Sequence, residues 1–199
     1  MAKAIKAAGF IPTSRIEALT DAVFAFAMTL LVINIELPEN FHPKTDQEFL
    51  GALSNLSDTF IAYLITFLIL VSYWFAHAKQ TLEPEMASPA YAWATLWHLL
   101  AVTFLPFSML AVSRYDVAGA VWIYGGNMIL LAATAFLIAR IAARDSGQAP
   151  ARDGRVELGI LILSAVLSMV AALWSPDNAM LFYLLNLAAP LVARVVYGR

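Results

Sequence analysis

The sequence contains no cysteine and little charge, and both features restrict the possible classes of protein. The lack of cysteine excludes disulfide bonds and thiolate metal sites. Only 13% of the 199 residues are charged, whereas soluble domains usually have about 25%. Hydrophobic residues make up 61% of the chain, and the mean hydropathy is +0.75. The composition therefore indicates an integral membrane protein.

Several catalytic and ion-binding motifs are also missing. The chain has no HExxH motif, no Ser-His-Asp set and no glycine-rich phosphate loop, so no acid, base and nucleophile converge on a catalytic site. The filter sequence TVGYG is absent as well, which excludes an ordinary potassium-channel filter. We therefore expect a protein that is not an enzyme and needs no cofactor.

Six apolar segments are each long enough to cross a bilayer, which takes about 20 residues. They lie at 15–37, 56–78, 91–113, 116–140, 157–175 and 178–197. A transmembrane β-barrel would instead show alternating segments of about 10 residues. The sequence therefore predicts an all-α integral membrane protein with six transmembrane helices, forming one domain over residues 1–199.

The basic residues are distributed unevenly between the two sides that six crossings define. Lys44 and Arg114 fall on one side, and the other ten lysines and arginines fall on the side that carries both chain ends. Basic residues concentrate on the cytoplasmic side of membrane proteins. We therefore expect both termini in the cytoplasm and, by the resemblance given below, a bacterial or archaeal cell membrane as the location.

The first segment carries charge at its start. Arg15, Glu17 and Asp21 precede an uncharged run to Glu36, although a charge inside a spanning helix costs roughly 2.5–3.5 kcal/mol even on lenient scales. Glu17 and Asp21 lie four residues apart and repel each other, so at least one of them needs a partner or a proton. The candidate partners are Arg15, Trp74, His77 and His98. Snorkelling into the headgroups is the alternative, and it suits the short side chain of Asp21 poorly.

A stripe along the first segment has two possible roles. Ala22, Phe26, Thr29 or Leu30, and Ile33 follow the spacing of three and four that places residues on one helix face. The stripe either contacts lipid and other helices or lines a pore. In a pore, apolar rings constrict the path, and threonine oxygens replace part of an ion's hydration shell. Elsewhere, Asn127 and Asn186 are expected to form interhelical hydrogen bonds.

Three motifs carry a resemblance to a known family. Residues 15–25 read RIEALTDAVFA, which resembles the RxxxFSD signature of the endosomal and lysosomal potassium channel family, with Leu19 in place of Phe and Thr20 in place of Ser. Residues 74–78 read WFAHA, similar to the family's WxxHH with Ala78 in place of the second His. Residues 104–107 read FLPF, similar to a motif in the family's third helix. The order and the lengths match short prokaryotic members with one six-helix unit.

The resemblance implies a homotetramer in which helix 1 of each subunit lines a central cation pore. By position in the motif, the pore and selectivity residues are Phe26, Thr29, Leu30 and Ile33. The hydroxyl ring of Thr29 is then the place where a permeating K⁺ ion makes contact. The resemblance also implies a structural hydrogen-bond network that holds helix 1. Its members are Arg15, Thr20, Asp21, Trp74 and His77.

The prediction is therefore a potassium-permeable channel that conducts passively through apolar and threonine rings. Its partners are copies of itself and membrane lipid, without nucleic acid. Proton conduction is the alternative, because Asp21 and His77 carry groups that relay protons. A coupled secondary transporter is a further alternative, although predicted helices 1–3 and 4–6 share no repeated motif. A membrane-embedded enzyme is a third alternative, against which the lack of a convergent acid, base and nucleophile set counts.

Overall fold

The computed structural model describes residues 11–38, 40–79, 86–147 and 155–197, and nearly all of them are helical. In chain order, the elements are β1 (Ile11–Pro12), α1 (Thr13–Ile33), α2 (Asp46–Ser54), α3 (Ser57–Lys79), β2 (Met86–Ala87), α4 (Pro89–Arg114), α5 (Ala118–Ser146), α6 (Arg155–Ala171), a 3-10 helix (Ala179–Leu184) and α7 (Leu185–Tyr197). The two short strands pair in antiparallel fashion, with Ile11 opposite Ala87. This pairing connects the start of α1 to the start of α4.

Four of these helices are long and apolar enough to cross a membrane. They are α1, the Ser57–Ala78 part of α3, α4 and α5, with mean hydropathies between 1.7 and 2.0. The chain is therefore a multi-pass, mostly helical membrane protein, as the composition predicts. The fifth and sixth predicted segments are shorter in the structure, so the count of six crossings stays a prediction.

The fifth and sixth segments differ from the continuous helices predicted at 157–175 and 178–197. α6 has 17 residues and ends at Ala171, where the backbone tightens into bonds between residues three apart, such as Leu173 N–H to the Val170 carbonyl. The sixth segment begins as a 3-10 helix and becomes the 13-residue α7. A 3-10 turn at a helix end satisfies backbone groups that have no α-helical partner.

The first segment also ends earlier than predicted. α1 stops at Ile33, not at the residue before Pro38, and Asn34 forms its C-cap. The Nδ2 group of Asn34 donates to the carbonyl oxygen of Pro106 on α4 at 3.0 Å. A hydropathy profile does not predict a hydrogen bond between two helices. The contact fixes the end of α1 against the middle of α4.

α4 and α5 form the centre of the bundle. They contain fully buried residues along most of their length, including Leu105, Met109, Tyr124 and Met128. The hydroxyl group of Tyr124 donates to Thr66 Oγ1 on α3 at 2.8 Å, because the Thr66 hydroxyl hydrogen is directed to the Ala62 carbonyl. α4 and α5 therefore provide the core on which the other helices pack.

Asparagine side chains join neighbouring helices, as the sequence predicts. Asn127 of α5 donates through Nδ2 to the Ala101 carbonyl of α4 at 3.2 Å. Asn186 of α7 donates to Ser164 Oγ of α6 at 2.9 Å. Hydrogen bonds between spanning helices contribute about 0.6 kcal/mol each on average. Both predicted interhelical roles are confirmed.

The predicted orientation depends on the positions of the basic residues, and four of these residues are not among those that the structure describes. Lys3, Lys6, Arg152 and Arg199 lie outside the described residues. On the opposite side, Arg114 forms an ion pair with Glu36 at 3.2 Å, so the C-terminal ends of α1 and α4 lie together. The placement of both termini in the cytoplasm stays a prediction.

Gly125 on α5 gives the sharpest packing test. A Cβ atom at Gly125 would lie 2.6 Å from Met169 Cγ on α6, whereas a Cβ atom at Gly126 meets nothing within 4 Å. Overpacking a core typically costs 1–3 kcal/mol. We expect Gly125→Leu to lower the thermal unfolding temperature in detergent, while Gly126→Leu leaves it near the wild-type value. Equal unfolding temperatures for the two variants would contradict the close approach of α5 and α6.

Candidate pore-lining helix

One face of α1 packs into the protein. The buried residues follow helical spacing and lie on a single side; they are Thr13, Ile16, Thr20, Phe24, Ala27 and Leu31. Phe24 and Leu31 are fully buried in the main core with residues of α3, α4 and α5. This packing fixes the rotation of α1 about its own axis. Every other side chain of α1 then points to the flank or away from the protomer.

The four predicted pore residues lie on the face that points away. Phe26 is 71% exposed, Ile33 is 58% exposed and Leu30 is 44% exposed, and Thr29 is exposed beside them. We call these four residues, Phe26, Thr29, Leu30 and Ile33, the outer stripe. None of these four residues belongs to the buried core of the protomer, so the outer stripe faces either lipid or other subunits.

The Thr29 hydroxyl group has a defined orientation. It donates to the Phe26 carbonyl oxygen of the same helix at 2.8 Å. This bond uses the hydroxyl hydrogen, and it leaves lone pairs of Oγ1 available as acceptors. The oxygen can therefore contact a cation without losing its hydrogen bond.

The predicted network is only partly assembled in the protomer. Trp74 Nε1 of α3 donates to Asp21 Oδ1 of α1 at 2.9 Å, so Asp21 has one of the partners proposed from the sequence. Thr20 is fully buried, but its hydroxyl donates to the Ile16 carbonyl of its own helix at 2.8 Å. The predicted Thr20 link between helices is therefore replaced by a bond inside α1. A threonine hydroxyl in a helix commonly bonds the carbonyl four residues earlier.

His77 and Arg15 take different positions relative to this bond. His77 lies within electrostatic reach of both Asp21 and Glu17. Arg15 is exposed, and it forms no ion pair with any residue that the structure describes. The structure therefore joins Asp21 to Trp74, with His77 within electrostatic reach of Asp21, and Arg15 takes no part in this group among the described residues. The physical reason is the helix geometry, because Arg15 and Asp21 are about 120° apart around α1.

His98 is a polar contact that the motifs do not identify. It is 5% exposed and packs between the rings of Phe24 and Tyr73, with centroid distances of 6.0 and 5.9 Å. Its Nδ1 atom lies 2.9 Å from Thr134 Oγ1 on α5. His98 therefore joins α1, α3, α4 and α5 around one buried ring. In the sequence, His98 is only a single histidine in an apolar segment, and such a pattern does not predict a specific contact.

The other end of α1 is fixed by two polar contacts. One is the bond from Asn34 to Pro106, and the other is the ion pair between Glu36 and Arg114. Both residues of the ion pair are largely exposed, so the pair contributes at most about 1 kcal/mol. The sequence marks Asn34 only as a polar residue within an apolar run.

No group of three His, Asp or Glu side chains suited to a metal ion occurs among the described ranges.

Several known proteins and one family model are similar to this chain in sequence. A family model described as the endosomal/lysosomal potassium channel TMEM175 matches residues 15–106. A potassium channel of Chamaesiphon minutus is 28% identical over 174 residues, which cover 80% of this chain and 85% of that protein. A potassium channel of a Chryseobacterium species is 23% identical over 176 residues, which cover 86% and 88%. The human endosomal/lysosomal proton channel TMEM175 is 28% identical over 106 residues, which cover 51% of this chain and 21% of that protein.

The fold matches as well. The crystal structure of a lysosomal potassium-selective channel TMEM175 homolog from Chamaesiphon minutus superimposes with a TM-score of 0.70 and 22% sequence identity. The superposition covers 91% of this chain and 97% of that chain. The matched sequence region contains the first two motifs and residues 104–106 of the third. The resemblance predicted from the sequence is thereby confirmed: the chain is similar to the endosomal/lysosomal potassium channel TMEM175 family model over residues 15–106 and to bacterial potassium channels over most of its length.

Proposed function

We propose that this chain is the subunit of a potassium-permeable cation channel that conducts passively through a central pore. In this proposal, four copies assemble around an axis, each with six crossings and both termini in the cytoplasm, and α1 of each copy lines the pore. The observation that carries the proposal is the exposure of the outer stripe on the helix that bears the family signature. The bacterial relatives that are named potassium channels support the choice of ion.

The burial of α1 supports its position at the axis. In its apolar stretch, 28% of the residues are buried inside the protomer, compared with 33% for α3 and 50% for each of α4 and α5. Lipid would satisfy the apolar members of the outer stripe, but it offers nothing to the free lone pairs of Thr29. A central assembly gives all four residues a role, since rings of apolar residues constrict and rings of oxygens solvate cations.

The residues of the outer stripe suggest an order of rings along the pore. Phe26 is nearest the cytoplasm and is the bulkiest member, so we assign it the narrowest apolar ring. Thr29 follows one turn later and supplies the oxygen ring at which K⁺ exchanges part of its hydration shell. Leu30 and Ile33 complete the constriction toward the outer side. Apolar constrictions of this kind gate by dewetting.

The position of α1 is maintained, in this proposal, by the contact of Asp21 with Trp74. His77 adds an electrostatic interaction with Asp21 at the same level. Thr20 contributes by filling the interface between the helices, and Arg15, which forms no ion pair among the described residues, is assigned a separate role. The network of the family signature is therefore assigned here to Asp21, Trp74 and His77.

The first test is permeation through purified protein in liposomes. We expect Phe26→Ala and Ile33→Ala to change the K⁺ flux severalfold and to lower the K⁺/Na⁺ permeability ratio, because both widen an apolar ring. Leu163→Ala is the control, since Leu163 on α6 is similarly exposed at 53% but lies on a helix outside the proposed pore. Unchanged permeation in both stripe variants would contradict the pore assignment. Saturable uptake without single-channel currents would indicate a transporter.

The oxygen ring has its own test. Thr29→Val removes the hydroxyl group at nearly constant volume, so we expect reduced K⁺ conductance and a lower K⁺/Na⁺ ratio in bilayer recordings. Thr29→Ser keeps the hydroxyl oxygen and should retain most of the wild-type conductance. If the valine and serine variants conduct alike, the oxygen atom of Thr29 has no part in permeation.

The Asp21–Trp74 contact is tested with a double-mutant cycle. We expect Trp74→Phe and Asp21→Ala each to lower the free energy of unfolding in detergent, with a coupling of about 0.5–1 kcal/mol, because the bond has a charged acceptor but is partly exposed. Additive effects of the two substitutions would show that the bond does not hold α1. Open probability, measured on the same variants, reports whether the contact also affects gating.

Proton conduction is a second candidate for a specific reason. His77 lies close to two carboxylate groups, Asp21 and Glu17, and the human relative is named a proton channel. The two candidates differ in reversal potential, which follows the K⁺ gradient for one and the pH gradient for the other. A His77→Ala variant that loses only the pH-dependent current would favour the proton candidate.

A further inference from the structure

Arg15 lies on the same face of α1 as the outer stripe. Residues 15, 19, 22, 26, 29 and 33 are separated by three or four positions, so they form one line along the helix. Leu19 is 45% exposed, and Arg15 and Ala22 are exposed too. Arg15 is at the N-terminal end of this line, in the first turn of α1. If the outer stripe faces a pore, Arg15 faces its entrance.

No nearby acid neutralises Arg15 in the described part of the chain. Glu17 and Asp21 are the closest acids in sequence, but they lie about 160° and 120° away around the helix. Asp21 accepts a bond from Trp74 of α3, and Glu17 lies within electrostatic reach of His77 on the same helix. The only ion pairs among the described residues are Arg114–Glu36 and Arg144–Asp145. Among the described residues, the Arg15 guanidinium group therefore has no ion-pair partner.

The surroundings of Arg15 strengthen the effect of that charge. It borders an apolar groove of about 280 Å³ between α1 and α4, lined also by Ile11, Ile16, Leu19, Ala92, Thr95 and Leu96. Low-dielectric walls focus field lines toward the aqueous space beside them. The N-terminus of α1 adds the positive end of its helix dipole at the same level.

From this arrangement we propose that the four Arg15 side chains form a cationic ring at the cytoplasmic mouth of the channel, which makes its current rectify inwardly. The inference rests on the proposed pore and adds an electrostatic determinant to it. A positive mouth lowers the local K⁺ concentration on the cytoplasmic side. Outward current, which draws on that side, is then smaller than inward current at equal driving force.

The salt dependence of the current separates this effect from a steric one. The Debye length is about 10 Å at 0.1 M salt and about 3 Å at 1 M, so the ring acts at low salt and is screened at high salt. In symmetrical KCl below about 0.1 M, we expect Arg15→Gln to raise outward conductance about twofold or more, and the difference should vanish near 1 M. Arg15→Lys should keep the wild-type rectification, because it keeps the charge.

Arg140→Gln is the matched control for Arg15→Gln. Arg140 lies near the C-terminal end of α5, where the proposed orientation places it on the cytoplasmic side, and its guanidinium carbon is 5.8 Å from the centre of the Phe136 ring. Neutralising it removes one charge per subunit without touching α1. We expect the control to rectify like the wild type. If Arg140→Gln and Arg15→Gln change the current equally, the effect is general surface charge and the ring is refuted.

The absence of native cysteine allows a direct reversal of the charge. An Arg15→Cys variant carries one thiol per subunit, which cytoplasmic addition of a cationic or an anionic methanethiosulfonate reagent modifies. We expect the cationic reagent to restore inward rectification and the anionic reagent to reverse it. An intact K⁺ current with unchanged rectification in every Arg15 variant would overturn the ring and leave the channel proposal standing. Loss of K⁺ current from the wild-type protein itself would instead refute the channel.

Discussion

Polar groups in the hydrocarbon layer need hydrogen-bond partners, and the partners of α1 determine the rotation of this helix about its own axis. Asp21 takes its hydrogen bond from Trp74 of α3, and Asn34 donates to the Pro106 carbonyl of α4. Between these two contacts, the fully buried Phe24 holds the same face of α1 against the core. With both ends and the middle fixed, α1 cannot rotate to hide its opposite side. The exposure of the outer stripe is the consequence, and every functional proposal for this chain begins from it.

The helices of the bundle differ in how much of their surface is buried inside the protomer. α4 and α5 carry most of the buried side chains, and Asn127 joins them through the Ala101 carbonyl. α5 approaches α6 closely enough at Gly125 that a Cβ atom would meet Met169. α1, in contrast, is less buried and carries the family signature. In the proposed channel, stability and permeation therefore depend mainly on different helices, so substitutions in the outer stripe should change conduction more than folding.

Much of this could be predicted from the sequence, because the relevant signals are local. The length of the apolar runs predicts α1, α3, α4 and α5, and the shortage of partners for Asp21 leaves four candidates, of which Trp74 forms the bond. Tertiary contacts were beyond reach. α1 ends at Ile33, next to the residue that bonds the Pro106 carbonyl, and no feature within residues 15–37 predicts that contact. The sixth segment has enough apolar residues for a helix, yet backbone hydrogen bonding at its start takes the 3-10 form. The helical spacing alone places Arg15 and Asp21 about 120° apart, and Arg15 forms no ion pair with Asp21 in the described part of the chain, so its place in the network given by the resemblance stays a prediction.

The central claim is that the outer stripe borders water, and single cysteines introduced into this cysteine-free chain test it most directly. The positions are Phe26, Thr29 and Ile33 on α1, compared with Leu163 and Val170 on α6, which are exposed to a similar degree in the protomer. A membrane-impermeant, hydrophilic thiol reagent is added to the protein in liposomes, and modification is followed by mass spectrometry. The account predicts rapid modification at the three α1 positions and protection at the two α6 positions. Equal protection at all five positions would place α1 against lipid and contradict the account.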